Sequence, residues 1–112
     1  LNDYRDQPTL LFMHHPPFSI SLGERSYFEY DQPDSIRKFC NLIKNYKQVI
    51  GIFCGHIHRT YNTTLGNIEA NVMPSIALDL SQERITNKVH LPVYHLHKFY
   101  DGLRYETEIR NT

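Results

Sequence analysis

The stretch Gln48-Val-Ile-Gly-Ile-Phe-Cys54 decides the fold, because it is apolar and β-branched and ends at a glycine, Gly55. A run of this kind predicts a strand buried on both faces of a sheet. An earlier run, Pro8-Thr-Leu-Leu-Phe-Met-His14, has the same character and predicts a second interior strand. Histidines stand at the end of both runs. If the two strands are parallel neighbours, these histidines meet at one sheet edge, where open α/β sheets place their ligand sites.

One main helix is predicted between the two strands, because apolar residues recur there at helical spacing. The residues on this face are Ile36, Phe39, Cys40, Ile43 and Tyr46. Either Asp34 or Asp31 is expected to cap the N-terminus of the helix. Residues 16–35 show no sustained period and predict a long loop.

The rest of the chain predicts two hairpins. The first pairs Arg59–Leu65 with Asn67–Met73 around Gly66, and residues 74–88 are expected to be irregular. The second has its turn at Asp101-Gly102, a dipeptide that strongly favours a hairpin, between Val93–Tyr100 and Leu103–Arg110. The predicted fold class is therefore α+β, mostly β with one main helix, in a single domain over residues 1–112.

Composition excludes several classes of function. The 112 residues carry 12 Lys and Arg against 12 Asp and Glu, and this balance disfavours a nucleic-acid binder, which needs many cations for phosphates. No apolar run approaches the roughly 18 residues that span a membrane, so no membrane association is expected. The two cysteines, Cys40 and Cys54, are interpreted as small buried residues in a reducing compartment, which predicts a cytoplasmic protein.

The histidines at the two strand ends are the candidate functional residues. His14 and His15 are adjacent, so in a strand they would point to opposite faces and would not enter one pocket equally well. His56 and His58 are two residues apart after a glycine and can converge on a metal ion from a tight turn. His95 and His97, by their spacing, are expected to share one face of the last hairpin.

The residues around these histidines resemble a known family. The segments Leu10-Leu-Phe-Met-His-His-Pro-Pro-Phe18 and Cys54-Gly-His-Ile-His-Arg59 resemble the last two ligand motifs of the calcineurin-like metallophosphoesterases, in order and in separation. The intervening helix and the two hairpins resemble in particular the class III cyclic-nucleotide phosphodiesterases and the related glycerophosphodiesterases. The resemblance covers nearly the whole chain.

The resemblance implies a two-metal centre that hydrolyses a phosphodiester by metal-activated hydroxide, with 3′,5′-cyclic AMP as the leading substrate. His14 and His56 would ligate one divalent ion and His58 the other, whereas His15 and Arg59 would contact the substrate. The two ions would be Mn, Fe, Zn or a similar metal.

The family pattern also implies that this chain is the C-terminal half of an αββα sandwich. Family members carry further aspartate, asparagine and histidine ligands upstream, and none of these motifs stands in this sequence. The chain alone is therefore expected to be inactive. Its expected partners are the missing N-terminal half of the same protein and a small phosphodiester substrate, and it is expected to form a homo-oligomer.

Three alternatives remain open from the residues alone. The first is a glycerophosphodiester or phosphomonoester hydrolase of the same superfamily. The second is a non-catalytic binding or interaction module in which His14, His56 and His58 hold a single zinc ion, with His15 or Cys54 as the fourth ligand. The third is a globular domain whose histidines only form hydrogen bonds.

Overall fold

The computed structural model describes residues 1–22, 25–27, 33–76, 92–101 and 104–111. Within these ranges the chain consists mainly of strands with a single α-helix, which confirms the predicted α+β class. In chain order the elements are a 3-10 helix at Asn2–Tyr4, β1 at Thr9–Phe12, β2 at Ile20–Leu22, β3 at Arg25–Tyr27, α1 at Pro33–Ile43, β4 at Val49–Cys54, β5 at Tyr61–Leu65, β6 at Ile68–Val72, β7 at Val93–Tyr100 and β8 at Arg104–Asn111.

A four-stranded sheet in the order β1-β4-β6-β5 lies at the centre of the fold. Strand β4 pairs in parallel with β1 on one side and with β6 on the other. The predicted parallel neighbours are therefore confirmed, and their carboxyl ends lie at the same edge of the sheet. Strands β5 and β6 form the predicted antiparallel hairpin, whose turn is made by Gly66 at a φ of +65°.

The main apolar core lies on the helix side of this sheet. Alternate residues of β4, namely Ile52 and Cys54, are fully buried there with Ile43 of α1. Burying one isoleucine side chain of this kind stabilises the fold by about 1.5–3 kcal/mol. The other buried members of this core are Ile20, Val49, Ile57, Ile68, Ala70 and Val72.

The helix begins one residue before Asp34, which is one of its two predicted caps. Pro33 is the first helical residue, so Asp34 lies inside the first turn and does not cap the helix. Proline suits this position because its missing N–H would have no helical partner there. The other predicted cap, Asp31, lies outside the described residues, as does most of the segment 74–88.

The β7–β8 hairpin covers the opposite face of the sheet and confirms the hairpin predicted around Asp101. Phe53 of β4 packs against the rings of His97 and Tyr105, at centroid distances of 4.2 and 5.4 Å. A Cβ atom on Gly51 would lie 3.1 Å from the Tyr105 ring, so glycine lets this ring pack closely on β4. The sheet thus has the helix on one face and the hairpin on the other.

The interpretation of residues 16–35 as a loop was incomplete. Strands β2 and β3 form a short antiparallel pair inside this region, and Ile20 is only 1% exposed. Each strand has three residues, which is too short for the alternation of polar and apolar residues to be recognised in the sequence. In the described part of the chain, none of the helices is long and apolar enough to cross a membrane.

Candidate metal centre

Backbone hydrogen bonds hold the histidine segments together at the carboxyl ends of β1 and β4. The N–H of Met13 donates to the carbonyl of Phe53 at 3.0 Å, which extends the parallel ladder beyond β1. The N–H of Gly55 then donates to the carbonyl of His14, also at 3.0 Å. These two bonds fix the residue before His56 directly beside the backbone of His14.

Three imidazoles meet at this edge of the sheet. His56 Nδ1 lies 3.0 Å from His14 Nε2, and the His15 ring centroid lies 4.1 Å from that of His56. The ring centroid of His14 is 4.9 Å from each of the other two. One ring nitrogen from each of the three residues lies within 4.8 Å of the other two. Among the described residues, these three histidines are the group that could together hold a metal ion.

The structure places His15 differently from the sequence-based expectation. His14 and His15 do not project to opposite sides, because β1 ends at Phe12 and both histidines lie in a bend beyond it. The alternation of side chains applies only within a strand. The next residues, Pro16 and Pro17, are fully buried, so the chain turns into the core immediately after the bend.

His56 and His58 both have left-handed backbones, with φ values of 71° and 55°. Non-glycine residues rarely adopt this conformation, and it is enriched at functional sites. The turn directs His56 toward His14, whereas His58 is outside the group of three ligand atoms. The Nδ1 atom of His58 is buried and has no hydrogen-bond partner within the described part of the chain.

The three clustered imidazoles fit a divalent metal ion. Nitrogen ligands around tetrahedral zinc lie about 3.3 Å apart, since each Zn–N bond measures about 2.0–2.1 Å. The observed 3.0 Å between His14 and His56 is close to this value. The group contains no carboxylate. Cys54 is an unsuitable ligand, because burial raises the pKa of its thiol to about 11 and its side chain lies in the core.

The neighbouring residues complete the surroundings of this centre. Arg59, the expected substrate contact, is partly buried directly after His58. Thr60 Oγ1 lies 3.3 Å from His95 Nε2, so the last hairpin contacts the segment that carries His56. His95 and His97 share the face of the hairpin that meets the sheet, as predicted, and burial lowers the pKa of both imidazoles.

Sequence reasoning found all the histidines at this edge and, from the resemblance, assigned His14, His56 and His58 to metal. The structure brings His14 and His56 together, with His15 in place of His58 as the third member of the cluster. The sequence carries one local signal about the backbone of His15. It is followed by a proline, and a residue before proline is restricted to extended backbone conformations. The left-handed turns at His56 and His58 gave no signal in the sequence, since neither position is a glycine.

The chain is similar to three curated phosphodiesterases. It is 33% identical over 88 residues to the probable glycerophosphodiester phosphodiesterase GpdQ of Arcobacter nitrofigilis, a match that covers 74% of this chain and 31% of that protein. It is 28% identical over 108 residues to a 3′,5′-cyclic-nucleotide phosphodiesterase of Nostoc, with 93% and 39% covered. Identity to the glycerophosphodiester phosphodiesterase GpdQ of Enterobacter lignolyticus is 27% over 75 residues, with 67% and 26% covered.

These matches confirm the resemblance seen in the sequence. The chain spans about a third of the length of the curated relatives it matches. No protein-family model matches it.

Proposed function

Because this chain is related to phosphodiesterases of the metallophosphoesterase type, we propose that it carries part of the metal centre of a phosphodiester hydrolase. The observation that carries the proposal is the cluster of His14, His15 and His56 at the carboxyl ends of two parallel strands. Relatives whose names describe phosphodiesterases support the same reaction class.

The proposed roles follow the order of the motifs. His14 and His56 bind one divalent ion and His58 binds a second. Divalent ions in such a centre supply Lewis-acid stabilisation of the phosphate and an activated water molecule. The Gly55 N–H to His14 carbonyl bond holds the two segments that carry His14 and His56 side by side. The motif assigns His15 and Arg59 to the substrate, and the Arg59 guanidinium would make paired hydrogen bonds to phosphate oxygens.

We further propose that a longer protein supplies what this chain does not. The cluster contains no carboxylate, and carboxylates are the usual ligands that bridge two ions. The matched stretches make up only 26–39% of these relatives, so we assign the additional ligands to the part of the relatives that lies outside the match. Isolated, the chain is expected to hydrolyse phosphodiesters negligibly.

The proposed substrate is a small phosphodiester. 3′,5′-cyclic AMP is the first candidate, supported by the relative that is matched over 93% of this chain. A glycerophosphodiester is the alternative, supported by the relative with 33% identity. Both substrates present the same phosphodiester group to the histidines, so only a comparison of turnover rates distinguishes them.

A chimera tests this proposal. The matched stretch of the Nostoc relative is replaced by the corresponding residues of this chain, and hydrolysis of bis-p-nitrophenyl phosphate, 3′,5′-cyclic AMP and glycerophosphocholine is measured with added Mn²⁺ or Zn²⁺. We expect the chimera to turn over substrate, and we expect this turnover to fall more than about tenfold with His14→Ala or His56→Ala. Even substitutions of residues that only support metal ligands have effects of this size. Tyr100→Phe, at the far end of the last hairpin, serves as the control substitution. A folded chimera that hydrolyses none of the three substrates contradicts the proposal.

A further inference from the structure

We propose that His15 is a metal ligand in this chain, so that His14, His15 and His56 hold one zinc-like divalent ion between them. This inference rests on the proposed function, in which the same edge of the sheet binds metal. It assigns to His15 a direct bond to the ion, a role different from the substrate contact that the motif implies.

Geometry favours His15 over His58 as the third imidazole. A ring nitrogen of His15 lies within 4.8 Å of the ligand nitrogens of His14 and His56, whereas His58 is not a member of this group. Around zinc the three nitrogens would lie roughly 3.3 Å apart. The 3.0 Å between His14 and His56 is already close to this value, and the separations to His15, which are at most 4.8 Å, would shorten by about 1.5 Å at most.

The backbone also restricts His15 to this position. It precedes Pro16, and a residue before proline is confined to extended conformations. Pro16 and Pro17 are both fully buried, so the chain after His15 is anchored in the core. On the other side, the carbonyl of His14 accepts the Gly55 N–H. The backbone of His15 is therefore held between two fixed points, and its ring centroid lies 4.1 Å from that of His56.

The donor set determines which ions are favoured. Neutral imidazoles suit zinc, cobalt, nickel and copper, whereas magnesium and manganese prefer oxygen ligands. Three imidazoles also leave the fourth position of a tetrahedral ion available for water or a phosphate oxygen, as in catalytic zinc sites. The chain should therefore bind one Zn²⁺ or Co²⁺ much more tightly than Mn²⁺, with an ion that remains accessible to phosphate.

Metal binding by the 112-residue chain tests this inference without an activity assay. Calorimetry with Zn²⁺, Co²⁺ and Mn²⁺ gives the stoichiometry and affinity for the wild type and for the His15→Ala, His58→Ala and Tyr100→Phe variants. We expect one Zn²⁺ per chain, at least about tenfold weaker binding in His15→Ala, and unchanged binding in Tyr100→Phe, the control at the far end of the hairpin. Circular dichroism of each variant shows whether it is folded.

A spectroscopic measurement separates a direct ligand from a supporting residue. With ¹¹³Cd²⁺ and ¹⁵N-labelled histidine, a ligating ring nitrogen shows scalar coupling to cadmium, and we expect this coupling for His14, His15 and His56. Coupling to His58 in place of His15 would overturn the inference and leave the proposed function intact. Absence of any bound ion would also overturn it, while hydrolysis by the chimera would still support the proposed function.

Discussion

Replacement of Tyr105 by phenylalanine should destabilise the fold, because it removes a hydroxyl that hydrogen-bonds to both Asn71 and Glu69. The Asn71 side-chain amide donates to the Tyr105 hydroxyl at 2.9 Å, and Asn71 is only 6% exposed. Tyr105→Phe keeps the ring that packs on Phe53 but leaves this buried amide without its acceptor. An unsatisfied buried polar group costs about 1–3 kcal/mol, so the free energy of unfolding should fall by that amount at neutral pH.

The pH dependence of this effect has a defined sign. Burial, followed by the hydrogen bond and charge of Glu69, raises the pKa of Tyr105 well above its usual value near 10. The unfolded chain therefore loses the phenolic proton at a lower pH than the folded chain. Stability from this group is fully present below about pH 10 and is lost as the pH rises above it. Phenylalanine cannot ionise, so the difference between variant and wild type should shrink above pH 10.

Urea unfolding followed by far-UV circular dichroism, at pH 7.5 and at pH 10.5, measures both effects. Tyr100→Phe is the matched control, because Tyr100 is 42% exposed and its hydroxyl contacts Glu106 at 3.3 Å. Substitution of an exposed residue of this kind should change the free energy of unfolding by less than about 0.5 kcal/mol. If Tyr105→Phe lowers the free energy of unfolding no more than Tyr100→Phe does, the buried Asn71 amide does not depend on the Tyr105 hydroxyl and the prediction is wrong.

Three further predictions concern the core and the hairpin. Gly51→Ala should lower the free energy of unfolding by about 1–3 kcal/mol, measured by urea unfolding, because the new Cβ would lie 3.1 Å from the Tyr105 ring. Cys54 should react slowly with Ellman's reagent at pH 8 in the folded chain and rapidly in urea, because it is buried and its thiol pKa is raised to about 11. Stability should fall as the pH drops below about 6.5, because burial lowers the pKa of His95 and His97 and the unfolded chain takes up protons first. Thermal midpoints at pH 7.5 and 5.5 measure this loss, and it should be smaller in His95→Gln.

The elements that the sequence predicted are those with strong local patterns. Strand β4 is an uninterrupted apolar run, and the turns at Gly66 and Asp101 carry residues that tolerate positive φ, with observed values of 65° and 49°. The membership of the histidine cluster depends instead on contacts between β1 and β4, which are about 40 residues apart in the chain. Its geometry follows from where β1 ends and from left-handed turns at non-glycine residues. Neither feature can be read from local patterns, so the roles given to the four histidines came from the family resemblance, which put His58 and not His15 among the metal ligands. The structure groups His15 with His14 and His56.

Strand β4 connects the stability of the fold to the position of the imidazoles. The side chain of Phe53 packs on the hairpin, while its carbonyl accepts the Met13 N–H and so positions the bend that carries His14. Substitutions in β4 should therefore weaken folding and metal binding together, and would not separate the two. His15 lies outside the apolar core, although its neighbour Pro16 is buried. A loss of metal affinity in His15→Ala without a change in the unfolding midpoint would therefore report on the site alone.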